Sequence, residues 1–242
     1  MPKVAFVTGA SRGIGRGIAE RFMADGYRVA VGYRVNDAEA HAVCDGHDHA
    51  MPVQLDVASR GDVKAALDKV EAALGKVDIL VNNAGIAQEK PFFEITDDDW
   101  SQMLATNLQS NFILSQEVLP HMIDGGWGRI INISSIGGQW GGLNQVHYAA
   151  AKAAQINFTR SLAKLFSEKG VTSNAIAVGL AETDMSKAEL NRADGQQKVA
   201  GIPVGRLADV REIAATVSFL ATDEAAYITG QTINLNGGMY FD

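Results

Sequence analysis

The sequence predicts an α/β fold, a doubly wound parallel sheet of about seven strands with helices on both faces. Three observations carry this. Seven short apolar runs rich in β-branched residues alternate with longer segments of helical period. A glycine-rich turn, Thr8-Gly9-Ala10-Ser11-Arg12-Gly13-Ile14-Gly15, separates the first run from the first helical segment. The chain of 242 residues has five prolines, no low-complexity stretch and no internal repeat, so no linker divides it. One domain over residues 1–242 is expected.

The first run, Val4-Ala5-Phe6-Val7, gives a strand over 3–8. Ile14, Ile18 and Phe22 then recur at helical spacing and mark one buried face. Strands over 28–33 and 51–55 follow. Ser59 and Asp62 have the spacing of a capping box, and Val63, Leu67, Val70 and Leu74 mark the face of the helix behind it. After a fourth strand over 77–81, Thr96 and Asp99 repeat the capping-box spacing. That makes the run Asp97-Asp98-Asp99 a helix N-terminus favoured by the macrodipole rather than a metal site. Long helices are expected around 100–122 and 148–168, and strands over 128–133, 171–177 and 231–235. In a sheet of this kind ligands bind at the carboxyl ends of the strands.

Composition narrows the function. With 21 basic and 28 acidic residues the net charge is −7 and no basic run occurs, which argues against nucleic acid or an anionic membrane as partner. The chain passes from Met1-Pro2-Lys3 straight into a strand, without the apolar stretch of a signal peptide or membrane span. A single cysteine, Cys44, allows no intrachain disulfide, and the expected compartment is the cytoplasm. His41, Cys44, His47 and His49 are chemically able to bind zinc, but their spacing matches no standard zinc pattern, so no metal is expected. His121 and His147 read as packing or surface residues.

Tyr148 and Lys152 lie four residues apart on a predicted helix, so they share a face at about 5–6 Å between Cβ atoms. An ammonium beside a phenol favours the phenolate and brings a pKa near 10 toward the working range of an acid–base catalyst. Upstream stand, in order, the glycine-rich turn, Asn82-Asn83-Ala84-Gly85, Asn107 and the pair Ser134-Ser135, with Ser135 thirteen residues before Tyr148.

This set, from Val4 to about Tyr240, resembles the short-chain dehydrogenase/reductase family. Within it the chain is most similar to the bacterial 3-oxoacyl-[acyl-carrier-protein] reductases and acetoacetyl-CoA reductases. The resemblance implies a Rossmann-type sheet and a catalytic tetrad of Asn107, Ser135, Tyr148 and Lys152. Ser135 would hydrogen-bond the substrate carbonyl and Tyr148 would protonate it. Lys152 would lower the Tyr148 pKa and bind the nicotinamide ribose, and Asn107 would hold a water leading to solvent. Ser134 is a rival to Ser135, set aside by spacing.

Cofactor contacts are expected from Gly9, Ser11, Arg12, Gly13, Ile14 and Gly15 in the turn, whose glycines let the backbone approach a pyrophosphate at a helix N-terminus. The second strand ends Gly32-Tyr33-Arg34-Val35, without the carboxylate that binds a ribose 2′-hydroxyl. Arg12 and Arg34 would instead clamp a 2′-phosphate, so the expected cofactor is NADP(H). The resemblance adds Asp56 and Val57 at the adenine, and Asn83, Ala84 and Gly85 along the adenosine, with Asn83 also a brace. Gly179 and Thr183 would meet the carboxamide, although Val178 stands where the family has proline.

The implied reaction is NADPH-dependent reduction of a 3-oxoacyl thioester. Another ketone, a diketone or a sugar carbonyl is the alternative, and a silent NADPH-binding protein is the rival of another class. Loops around 86–95, 136–147 and 184–203 would select the substrate, with Trp140, Leu143 and Val146 as an apolar wall. Arg129, Lys164 and Lys169 are the bases available to an acyl carrier protein. The resemblance covers the long helices and the C-terminal strand used in the family's assemblies, and so implies a homotetramer.

Overall fold

The computed structural model describes residues 2–183 and 195–241. Seven strands, β1 (Val4–Val7), β2 (Arg28–Tyr33), β3 (Ala50–Gln54), β4 (Ile79–Asn82), β5 (Gly128–Ser135), β6 (Val171–Val178) and β7 (Thr232–Leu235), form one parallel sheet in the order β3-β2-β1-β4-β5-β6-β7. The strand order reverses between β1 and β4, which opens a crevice at their carboxyl ends.

Period-two alternation splits the core into two layers. Val7, Val31, Val81 and Ile131 pack with Ile18 and Phe22 of α1 (Gly13–Ala24) on one face. Phe6, Ala30, Leu80 and Ile130 pack on the other with Val63 and Val70 of α3 (Arg60–Ala73), which follows α2 (Asp37–Cys44) in the chain. Burying a side chain such as Phe22 contributes about 2–3 kcal/mol. The sequence placed the strands well, but β5 and β6 run further than expected. Ser134 and Ser135 are not apolar, yet they continue the ladder against Ala177 and Val178.

The helix expected over 100–122 is interrupted. It divides into α4 (Asp97–Leu104), a π-helical turn over Ala105–Gln109, and α5 (Ser110–Asp124). Next come the short α6 (Gly137–Trp140) and the long α7 (Val146–Phe166), then α8 (Gly195–Ala200) and α9 (Val210–Leu220). At α4 the capping box is complete, with Asp99 N–H donating to Thr96 Oγ1 at 3.1 Å and Thr96 N–H to Asp99 Oδ2 at 2.9 Å. At α3 only half of it forms. Ser59 Oγ accepts from Asp62 N–H, while the Asp62 carboxylate turns to the Ser59 hydroxyl and the Asp56 N–H. Asp209 and Glu212 make a further box that the sequence reading did not pick out.

Candidate active site

A cleft of about 670 Å³ opens at the carboxyl ends of β1, β2, β4, β5 and β6. Its first wall is the turn after β1. Gly9 and Gly13 line it with φ of +64° and +56°, values that L side chains rarely adopt. A Cβ on Gly9 would also lie 2.9 Å from Ala84 Cα. Gly15 does not line the cleft. A Cβ there would sit 2.4 Å from Gly9 O and 2.5 Å from Asn83 Nδ2, so its role is close packing beneath the turn. Ser11, Arg12 and Ile14 complete the wall, and no side chain caps α1, which leaves first-turn N–H groups beside the cleft.

Asn83 braces the turn, as expected. Its Nδ2 donates to Thr8 O at 2.9 Å and Gly9 O at 3.1 Å. Thr8, which the sequence reading left without a role, accepts the Asn83 and Ala84 N–H groups at its hydroxyl. The tip of β1 and the end of β4 therefore move as one piece. Ala84 and Gly85 continue the cleft wall.

Arg12 and Arg34 are exposed at the cleft, and among the described residues neither guanidinium has an ion-pair partner. Tyr33 beside them is tied by its hydroxyl to Asp37. Asp56 and Val57 also line the cleft, and Asp56 Oδ1 accepts the Ala58 N–H at 2.9 Å, which fixes that loop.

Ser135 at the end of β5 meets Tyr148 and Lys152 on α7 inside the cleft. Ser135 and Tyr148 line the same cleft, near enough for the Ser135 hydroxyl to favour the phenolate, and Ser135 Oγ accepts the Gly137 N–H at 3.1 Å. Ser134 is excluded as the cleft hydroxyl, because its buried Oγ donates to Lys152 O at 3.1 Å and ties β5 to α7. The two helices of this corner can meet because residue 138 is glycine. A Cβ at Gly138 would lie 2.7 Å from the Lys152 carbonyl carbon.

Lys152 is buried, with Nζ 2.7 Å from Ile133 O and 3.4 Å from Gln155 Oε1. Burial pulls its pKa down to about 8. Burial pushes Tyr148 above its ordinary value, and the neighbouring Ser135 hydroxyl partly opposes this. The shared helix face holds, with Lys152 Nζ 5.8 Å from the Tyr148 ring centre. The net shift at Tyr148 is upward rather than the expected lowering: in this geometry desolvation outweighs the effects that favour the phenolate, Ser135 among them.

Asn107 sits in the π-helical turn, fully buried. Its amide exchanges two hydrogen bonds with the Ile86 backbone, at 2.8 and 2.9 Å, and Nδ2 also approaches Met103 Sδ. The side chain braces the loop after β4. A Cβ at Gly85 would come within 2.6 Å of Asn107 Oδ1, so glycine is required there.

Gly179 and Thr183 line the far end of the cleft. A Cβ at Gly179 would stand 2.8 Å from Asn236 Cα. Val178 pairs with Ser135 and Leu235 and accepts the Ile136 N–H at 3.0 Å, so a ladder residue occupies the place of the family proline.

Two expectations need correction. Trp140, Leu143 and Val146 do not line the cleft, and Leu143 is 97% exposed; Gln145, Ile86 and Ala87 form that wall instead. The proposed carrier-protein bases lie at the wrong end. Arg129 opens β5 at the amino edge of the sheet, buried against Trp127 and bonded to Thr222 O. Lys164 is sixteen residues beyond Tyr148 on α7, about 24 Å along the axis, and Lys169 lies further on. Part of the loop 184–203, namely 184–194, lies outside the described residues.

Among the described residues no group of three or more His, Cys, Asp or Glu side chains is arranged to hold a metal, and burial pushes the Cys44 thiol up to about 11. No described helix is long and apolar enough to cross a membrane.

A family model described as enoyl-(acyl carrier protein) reductase matches residues 9–240. The chain is 46% identical over 239 residues to the 3-oxoacyl-[acyl-carrier-protein] reductase FabG of Vibrio cholerae, covering 98% of this chain and 97% of the relative. It is 44% identical to the acetoacetyl-CoA reductase of Rhizobium meliloti over the whole of both chains. A crystal structure of a putative gluconate dehydrogenase from Agrobacterium tumefaciens superposes with a TM-score of 0.94 at 33% identity, covering 98% of this chain and 95% of that one. With relatives of this identity along its full length and the Ser135, Tyr148 and Lys152 cluster in its cleft, the chain belongs to the short-chain dehydrogenase/reductase family of oxidoreductases.

Proposed function

We propose that the chain reduces a short 3-oxoacyl thioester to the 3-hydroxyacyl thioester with NADPH. The observation that carries the reading is the convergence of Ser135, Tyr148 and Lys152 in one cleft with the glycine turn. The cleft fits a dinucleotide. Gly9 and Gly13 leave a cradle without side chains next to the start of α1, and Arg12 and Arg34, without an ion-pair partner among the described residues, present two guanidinium groups where a 2′-phosphate would be bound. Asp56, Val57, Asn83, Ala84 and Gly85 would hold the adenosine side, and Gly179 and Thr183 the carboxamide side. When bound, the reduced nicotinamide supplies the hydride.

The side chains do the rest. Ser135 donates a hydrogen bond to the carbonyl oxygen and orients it. As the carbonyl carbon gains hydride, that oxygen takes the phenolic proton of Tyr148, leaving a tyrosinate that is reprotonated from solvent. Lys152 places a positive charge beneath the tyrosinate and stabilises it as it forms. Asn107 keeps Ile86 and the loop wall in place.

Two other readings have support. The family model's description points to a conjugated double bond, and the structural neighbour to a sugar acid. Acetoacetyl-CoA and crotonyl-CoA with NADPH and NADH, and gluconate with NADP+ and NAD+, separate them. Acetoacetyl-CoA with NADPH is expected to turn over fastest. Preference for crotonyl-CoA or gluconate would overturn the thioester-ketone reading, and binding of NADPH with no turnover of any of them would favour the silent binder.

The proposal includes one domain over the chain, a cytoplasmic setting, no nucleic-acid or membrane partner, and a homotetramer. The single Cys44 and the net charge of −7 support the setting and the partners. Exposed Trp100 on α4, Phe112 on α5 and Leu165 on α7 support association through these helices.

A further inference from the structure

His147 precedes Tyr148 on α7 and is fully buried, yet its Nδ1 has no hydrogen-bond partner. Successive helical residues point about 100° apart, so with Tyr148 in the cleft His147 faces sideways, where α4 packs against α7. Its Nε2 lies 2.8 Å from Gln88 Oε1. Gln88 Nε2 in turn lies 2.9 Å from Asp99 Oδ1. An ionised carboxylate only accepts, so the Gln88 amide has one orientation, and its oxygen must receive a proton from His147. His147 is therefore the Nε2–H tautomer with a bare, buried Nδ1. A second proton would create an N–H without an acceptor, and burial lowers the imidazole pKa accordingly.

The far end of this chain of bonds is equally fixed. Asp99 holds the start of α4 and also accepts Lys90 Nζ at 2.6 Å, while the Lys90 N–H donates to Asn144 O at 2.7 Å. Ile86 is gripped from the other side by Asn107. The loop after β4 is thus held at alternate residues, Ile86, Gln88 and Lys90, and Ile86 and Ala87 face the same cleft as Tyr148.

We propose that His147 is a positioning residue for carbonyl reduction: through Gln88 and Asp99 it sets the Ile86–Ala87 wall against the catalytic helix, so that the substrate carbonyl is held within reach of the Tyr148 hydroxyl. This deepens the reductase reading and rests on it. His147 touches neither the substrate nor the reacting atoms, so its effect falls on placement and not on cofactor binding.

The test is a double-mutant cycle on kcat/KM for acetoacetyl-CoA with NADPH, accompanied by NADPH Kd from fluorescence. An inactive parent would count against the thioester reading alone, and the same variants are then compared on whichever carbonyl the parent reduces. His147→Phe keeps a ring and removes the donor; it is expected to lower kcat/KM by roughly 10–100-fold, the scale of a reactant misplaced by about 1 Å, with NADPH Kd unchanged. His147→Gln puts a donor nitrogen at similar reach and should restore activity to within about threefold. Gln88→Leu should reproduce the loss, and His147→Phe with Gln88→Leu should be no worse than either alone. Wild-type kcat/KM in either single variant, multiplicative losses in the double variant, or His147→Gln as impaired as His147→Phe would each overturn the proposal. Should His147→Phe fail to fold, Gln88→Leu and His147→Gln decide it by the same criteria.

Discussion

Lys152 Nζ lies 2.7 Å from the carbonyl oxygen of Ile133, two residues before Ser135 on β5. The bond anchors the catalytic helix to the strand that carries the Ser135 hydroxyl. It also keeps an ammonium in a buried place, which is why its pKa falls to about 8. Two pH predictions come from this position.

Reduction is expected to lose rate as pH rises through about 8. The positive charge beneath the tyrosinate is present below the Lys152 pKa and disappears above it. Tyr148 is shifted the other way and stays protonated through this range, so it does not set the alkaline limb. A kcat profile with Lys152→Arg beside the wild type checks the assignment. Arginine holds its charge, so an alkaline limb at the same pH in that variant would assign it elsewhere.

Lys152 also costs stability at neutral pH. Its folded pKa is below the unfolded value of 10.5, so the unfolded chain binds more protons between pH 8 and 10.5. The cost is complete below pH 8, about 3 kcal/mol by the size of the shift, and is relieved as pH climbs toward 10.5. Lys152→Met should therefore gain on the wild type in urea at pH 7 and lose most of that gain at pH 10. A stability difference independent of pH would refute it.

On the proposed reading, cofactor choice rests on Arg12 and Arg34, which line the cleft and have no ion-pair partner among the described residues. Replacing Arg34 with Asp removes a charge-assisted contact and adds repulsion. KM for NADPH should rise by roughly 10–100-fold while KM for NADH stays within a few-fold. Parallel KM determinations with the two cofactors check this, and equal effects on both would dismiss the clamp.

Lys164 and Lys169 stand at the end of α7 remote from Tyr148, so charge reversal at both should leave the rate on a carrier-protein substrate within about twofold. A loss of that rate that grows at low salt would restore them as a docking site.

Much of this was legible in the chain itself. Short apolar runs located all seven strands, and the glycine turn, Ser135, Tyr148 and Lys152 converge on one cleft. What escaped was set by packing between distant segments. The grip of Asn107 on Ile86 accompanies a π-helical turn that no periodicity announces. Nothing local distinguishes Gly15, which packs, from Gly13, which lines the cleft. The burial of Arg129 under Trp127 and its place at the amino edge of the sheet depend on topology, so its charge read as available when it is not. The pKa of Tyr148 likewise depends on desolvation, which neighbours in sequence do not report.

The central claim is that Tyr148 gives its proton to the substrate carbonyl. It is tested most directly by following NADPH oxidation with acetoacetyl-CoA for the wild type and Tyr148→Phe side by side, with NADPH affinity measured on both. The account predicts turnover by the wild type, a loss of at least about 100-fold in kcat for the variant, and the same NADPH Kd. A variant that binds NADPH normally and keeps most of its turnover would contradict it.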